Sequence, residues 1–80
     1  VEKLRNSERV KIKDNIITFK YYNSKDEIIE NSCGLEKVTS FYIKKLEAIS
    51  ISEYAHQKDM KKTAKQILKI FGDLFPEYFI

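Results

Sequence analysis

The chain reads as an α+β domain, with one N-terminal β-hairpin packed on three to four short α-helices and a winged-helix-like layout as a variant. Three observations carry that expectation. Alternating apolar residues flank Asp14-Asn15, Ser-x-x-Glu signatures recur at Ser24 and Ser50, and Met60 to Phe71 repeats apolar residues at helical spacing.

The hairpin is set by its turn. Asp14 and Asn15 both tolerate positive φ, and they separate Val10-Lys11-Ile12-Lys13 from the β-branched and aromatic run Ile16 to Tyr22. A two-residue turn pairs Lys13 with Ile16, Ile12 with Ile17, Lys11 with Thr18 and Val10 with Phe19. Val10, Ile12, Ile17, Phe19 and Tyr21 then share the buried face, while Arg9, Lys11, Lys13, Thr18, Lys20 and Tyr22 share the outer one. Val1 to Ser7 is a lead-in or the tail of a helix.

Ser24-Lys25-Asp26-Glu27 matches a capping box that opens a short helix through Asn31, and Asn31-Ser32-Cys33-Gly34 matches a turn. A longer helix follows, with Leu35, Val38, Tyr42, Leu46 and Ile49 inward and Phe41 beside them. A second capping box, Ser50-Ile51-Ser52-Glu53, starts a helix that buries Ile51, Tyr54 and Ala55. The apolar phase slips after Ala55 and restarts at Met60, which places a turn at Lys58-Asp59 with Asp59 as N-cap.

In the last helix Met60, Ala64, Ile67, Leu68 and Phe71 keep core spacing. Lys61, Lys65 and Lys69 form a second row, with Lys62 alongside and Lys58 upstream. No acid lies between Lys61 and Lys69, so a strip about 12 Å long carries unbalanced positive charge. Gly72 is the expected stop, and Asp73 to Pro76 begins a final turn.

Eighty residues at net charge +3, with 42% hydrophobic and 34% charged residues, describe one small domain spanning 1–80. Its Val1 start and apolar Tyr78-Phe79-Ile80 end read as an excerpt or processed piece of a longer chain. Residues 1–25 carry seven Lys/Arg against three acids, residues 57–80 five against three, and residues 26–56 three against six. Both ends are therefore basic and the middle acidic, a division that decides which partners each side suits.

The lone Cys33 points to a reducing, intracellular setting, cytoplasmic or nuclear, and no apolar run suits a membrane span. Catalysis has little to stand on. His56 is the single histidine, Cys33 lacks a CxxC partner, and two glycines cannot build a phosphate loop. The acidic cluster Asp26, Glu27 and Glu30 reads as a solvated face. The expectation is a non-enzymatic protein with no cofactor and no metal.

Ile51 to Phe71 resembles a helix-turn-helix: Ala55 is small where two helices would cross, a turn follows, and Ile67-Leu68 can face the first helix. Lys58 and Lys65 stand where that pattern places apolar residues, and its turn holds Asp59 in place of glycine. The resemblance implies DNA contact by Lys61, Lys62, Lys65 and Gln66, with Gln66 reading base edges. Two functional expectations follow. One is a nucleic-acid binder, DNA favoured over RNA, with Lys58, Lys61, Lys62, Lys65 and Lys69 on phosphates and Lys11, Lys13 and Lys20 as an auxiliary patch. The other is a protein–protein module, a regulatory or inhibitory subunit or a homodimer, that docks through Phe75, Tyr78, Phe79 and Ile80. A solvated outer face is the third reading of the lysine row, because lysine is a good helix former and cheap to expose.

Overall fold

The computed structural model describes residues 4–79, apart from the side chain of His56. Its elements run α1 (Asn6–Arg9), β1 (Val10–Lys13), β2 (Ile16–Tyr22), β3 (Ile28–Gly34), α2 (Ser40–Ser50) and α3 (Lys58–Leu74). Single 3₁₀ turns occupy Leu35–Lys37, Ala55–Gln57 and Pro76–Phe79. The strands form one antiparallel sheet in the order β1-β2-β3, so the fold is α+β as expected.

The first hairpin has the register its turn dictates, from Val10 opposite Phe19 to Lys13 opposite Ile16. Asp14 and Asn15 hold φ of 53° and 61°, the left-handed pair that matches the twist of the flanking strands. Ile17 and Phe19 are buried, with Val10 and Tyr21 half-buried beside them. Ile12 shares their face but stays 41% exposed, because it lies beyond the reach of the helices.

The segment expected as a helix from Ser24 to Asn31 is instead a loop and a third strand. Asn23 decides this: its Oδ1 accepts from the N–H of Lys25 and of Glu27, both at 2.9 Å, and its own N–H donates to Glu27 O. The Glu27 amide, three residues on from Ser24, is the one a capping box there would have needed. Asp26 completes the reversal at φ 60°. The β-branched pair Ile28-Ile29 then lies opposite Tyr22 and Tyr21, and Asn31 to Gly34 continue the strand where a turn was expected. Leu35 N–H donates to Asn15 O at 2.8 Å, tying the end of β3 to the first turn.

Helix α2 starts five residues later than the apolar spacing suggests. Thr39 is its N-cap, accepting from Tyr42 N–H at 3.2 Å. The later start turns Ile43 and Leu46 inward and leaves Phe41 78% exposed, so the placement of Phe41 beside the core is corrected. The second capping box does not nucleate a helix. Ser50 is the last residue of α2, where its hydroxyl donates to Glu47 O, and the chain after it is irregular up to the Ala55–Gln57 turn. Ile51 and Tyr54 are 76% and 69% exposed and Ala55 is exposed as well, against the expectation that all three are buried.

Helix α3 is the centre of the molecule, packing on β2 on one side and α2 on another. Ala64, Ile67 and Phe71 are buried, and Met60 and Leu68 are half-buried at their edge. Gly72 does not end the helix, which runs on to Leu74, where Phe75 N–H donates back to Phe71 O at 2.7 Å. Pro76 opens the final turn. Phe75 stacks edge-on against Phe71 at 5.6 Å and beside Tyr78 at 5.7 Å, so the apolar end is partly drawn onto the core.

Candidate nucleic-acid interface

The lysines of α3 fall on one line. At 100° per residue, Lys58, Lys62, Lys65 and Lys69 lie within an arc of about 60°, opposite the stripe centred on Ile67. All four are exposed, and they span roughly 16 Å along the helix. Lys61 turns toward Leu68 and is half-buried, as is Gln66 on the other flank. The ridge is therefore 58-62-65-69, one row over from the 61-65-69 row that the sequence spacing picks out.

No residue of this ridge forms an ion pair among the described residues. The pairs present are Arg5 with Glu8 at 3.9 Å, Arg9 with Asp59 at 2.7 Å and Lys20 with Glu30 at 3.5 Å. Four ammonium groups in a row repel one another, and water and salt screen that repulsion only in part at such spacing. An anion laid along the ridge relieves it.

The auxiliary patch does not join the ridge. Lys20 sits directly across from Glu30 in the sheet and is half-buried against it. Arg9, expected outside beside it, is 4% exposed: it is the last residue of α1, and its side chain reaches Asp59 and Thr63 of α3. Lys11 and Lys13 are exposed, but the pairing register puts them on the face opposite Ile17 and Phe19, turned away from the helices. They and the α3 ridge consequently occupy different faces. Of the aromatic end, Tyr78 and Phe79 are 38% and 41% exposed and Phe75 is half-buried; Ile80 lies outside the described residues.

The helix-turn-helix resemblance fails on its first helix. Residues 51–57 hold only a 3₁₀ turn, and α3 begins at Lys58, so Asp59 sits inside the helix and not at its N-cap. Asp59 has a different task. Its Oδ1 and Oδ2 accept from the two terminal nitrogens of Arg9 at 2.9 and 2.7 Å, and Oδ2 also accepts from Tyr22 N–H at 2.7 Å. One turn on, Thr63 accepts from Arg9 Nη1 at 3.3 Å and donates to Lys20 O at 2.7 Å. Burial pushes the Asp59 carboxyl up, but hydrogen bonds from Arg9 and Tyr22 and the charges of Arg9 and Lys62 outweigh it, holding Asp59 below its ordinary 3.8.

That network finishes the sheet. β1 begins only at Val10, opposite Phe19, so Lys20 and Tyr22 on that side have no strand beside them. Asp59 and Thr63, one turn apart on α3, supply the missing acceptor and donor. Sequence reasoning missed the arrangement; its one local sign is a basic residue directly before a strand that otherwise alternates. The consequence for the ridge is orientation, because anchoring Asp59 and Thr63 on β2 turns Lys58, Lys62, Lys65 and Lys69 outward.

A pocket of about 230 Å³ opens at the head of the ridge between the Asn23–Asp26 loop and α3, with Lys58 and Lys62 on one wall and Asp26 on the other. Its mixed charge gives it no preference for an anion. Among the described residues no three His, Cys, Asp or Glu side chains converge on a metal site, and no helix is long and apolar enough to cross a membrane. Compared with known proteins, the chain matches no family model, no curated protein and no solved structure.

Proposed function

We propose that this domain is a non-enzymatic polyanion binder that lays the Lys58-Lys62-Lys65-Lys69 ridge along the phosphates of a nucleic-acid duplex, DNA before RNA. The supporting observation is the ridge itself: four exposed cations within an arc of about 60°, none ion-paired among the described residues. Lysines act as point charges on phosphate and carry little base information, so recognition is tolerant of sequence. No aromatic residue of α3 lies on the ridge and Tyr22 adjoins only the pocket at its head, which disfavours a single strand, where successive bases need stacking platforms. Gln66 at the flank is the one side chain placed to add base contact. A winged-helix-like role is the finer version of this reading, with the sheet as a wing that precedes the helices in the chain.

Binding of a fluorescent duplex measured across a salt series tests the proposal. Four phosphate contacts give a slope near −3.6 in log K against log salt, roughly a 10²-fold loss between 50 and 200 mM. Absence of binding at low salt removes the proposal.

A second reading is favoured by the exposed end of the chain. Leu74, Tyr78 and Phe79 remain 46%, 38% and 41% exposed, more apolar surface than a core segment leaves. In that reading the domain is a regulatory or inhibitory module, and truncation after Tyr78 weakens its complex without touching duplex binding.

A further inference from the structure

We propose that β3 is a self-pairing edge, and that two copies of this chain join through it into one continuous six-stranded antiparallel sheet. The two outer strands of the sheet differ in how they are guarded. β1 is four residues long with Lys11 and Lys13 on it, the charge pattern that discourages a further strand. β3 is seven residues long, with no proline, no lysine or arginine and an unbroken register against β2 from Ile28 to Gly34. Its one charge, Glu30, is paired within the same sheet with Lys20 at 3.5 Å.

Neither face of β3 is covered at its middle. Glu30, Asn31 and Ser32 are all exposed, although successive side chains point to opposite faces. The helices therefore stop short of the middle of this strand, while Cys33 nearer its end packs on the core. The first turn makes Ile16, Thr18, Lys20 and Tyr22 direct their N–H and C=O toward β1, so Ile17, Phe19 and Tyr21 pair with Cys33, Asn31 and Ile29. By the same alternation Ile28, Glu30, Ser32 and Gly34 direct their N–H and C=O away from the sheet.

The occupant follows from that list. A second β3 laid antiparallel, with its two-fold axis at Asn31, engages the whole strand. It sets Glu30 against Ser32 of the second copy and Ile28 against its Gly34. On the other face Ile29 meets Cys33 and Asn31 meets Asn31. No like charges face each other, whereas a shift of the axis to Glu30 opposes two carboxylates and costs stability. A two-fold axis perpendicular to the sheet keeps both helical layers on one face, and a closed isologous contact stops at two copies. This pairing does not depend on the lysine ridge, and its readout is mass, not nucleic-acid binding.

Sedimentation of the whole chain over a concentration series is the primary test, with the expected mass rising from one copy to two. Ser32→Pro removes an outward N–H while leaving the β2 pairing intact, and is expected to hold the chain monomeric at every concentration. In a Cys33→Ser background, Asn31→Cys faces itself across the axis at roughly 4.5 Å between Cα atoms, within disulfide reach. It is expected to cross-link about tenfold faster under oxidation than Ser32→Cys, which faces Glu30. Should Ser32→Pro unfold the chain, the cross-linking pair decides alone. A chain that stays monomeric throughout overturns the proposal, as does a dimer that cross-links equally at both positions.

Discussion

Arg9 and Asp59, fifty residues apart in the chain, meet in a two-pronged pair at 2.7 and 2.9 Å, with Arg9 almost wholly buried. Its Nε is buried without a partner among the described residues, so the two terminal nitrogens carry the whole contact. A planar fork is needed there, and a point charge cannot replace it. Asp59→Ala is expected to cost about 3 kcal/mol, since it strands a buried guanidinium. Asp59→Asn keeps an acceptor for the Tyr22 N–H and should cost about 1 kcal/mol less. Arg9→Lys should fall between wild type and Asp59→Ala, all read from urea midpoints at constant slope.

Acid dependence follows from the same carboxyl. Its folded value lies below its ordinary 3.8, so the stability it confers is complete above that value and fades as pH falls through the folded one. Wild type should lose stability below about pH 4 more steeply than Asp59→Asn, and the two curves should converge in strong acid. Parallel curves from pH 6 to pH 2 would show that the carboxylate is not held by Arg9.

Charge reversal on the ridge separates its members. Lys65→Glu with Lys69→Glu should abolish duplex binding while shifting stability by no more than about 0.5 kcal/mol, since both residues are exposed and lie away from Asp59. Lys61→Glu, half-buried and off the line, should weaken binding less. Lys11→Glu with Lys13→Glu should leave it nearly unchanged, because those residues face away from the helices.

Two phenylalanines of similar sequence appearance should behave oppositely. Phe71→Ala removes a fully buried ring that contacts Tyr42 and Phe75, an expected loss of about 4 kcal/mol. Phe41→Ala alters a ring that is 78% exposed and should move the thermal midpoint little.

At the first turn Asn15→Gly should be tolerated or slightly stabilising, and Asn15→Val should cost about 1–2 kcal/mol, because φ there is 61°. A hairpin register that survives Asn15→Val with unchanged melting would show that the strands, and not the turn, set the pairing.

What was legible in the sequence was local. The first hairpin is fixed by two adjacent residues that accept positive φ, and α3 by an apolar repeat long enough to average out exceptions. β3 was hidden because Ser24-Lys25-Asp26-Glu27 satisfies a helix signature that Asn23, one residue earlier, pre-empts. Ile43 was missed and Phe41 misplaced for one reason: a stripe begun at Leu35 runs out of phase with a helix that Thr39 starts. The Arg9, Asp59 and Thr63 contacts join segments 50 and 54 residues apart, a separation no window of periodicity spans. At the interface, the identity of the basic helix was readable and the membership of its ridge was not. Choosing between Lys61 and Lys58 requires knowing which way α3 rolls, and Asp59 and Thr63 set that roll.

Because β1 begins at Val10, three residues past the position that would pair with Tyr22, the Tyr22 amide is held by Asp59 of α3 and not by a neighbouring strand. The sheet and the long helix are thereby bound into a single cooperative unit. In native-state hydrogen exchange, Tyr22 should report the same opening free energy as the amides at the centre of α3, despite its place near the end of a strand. The closure that joins them brings together residues 37 positions apart, so it carries a larger loop-closure cost than the two-residue turn of the first hairpin.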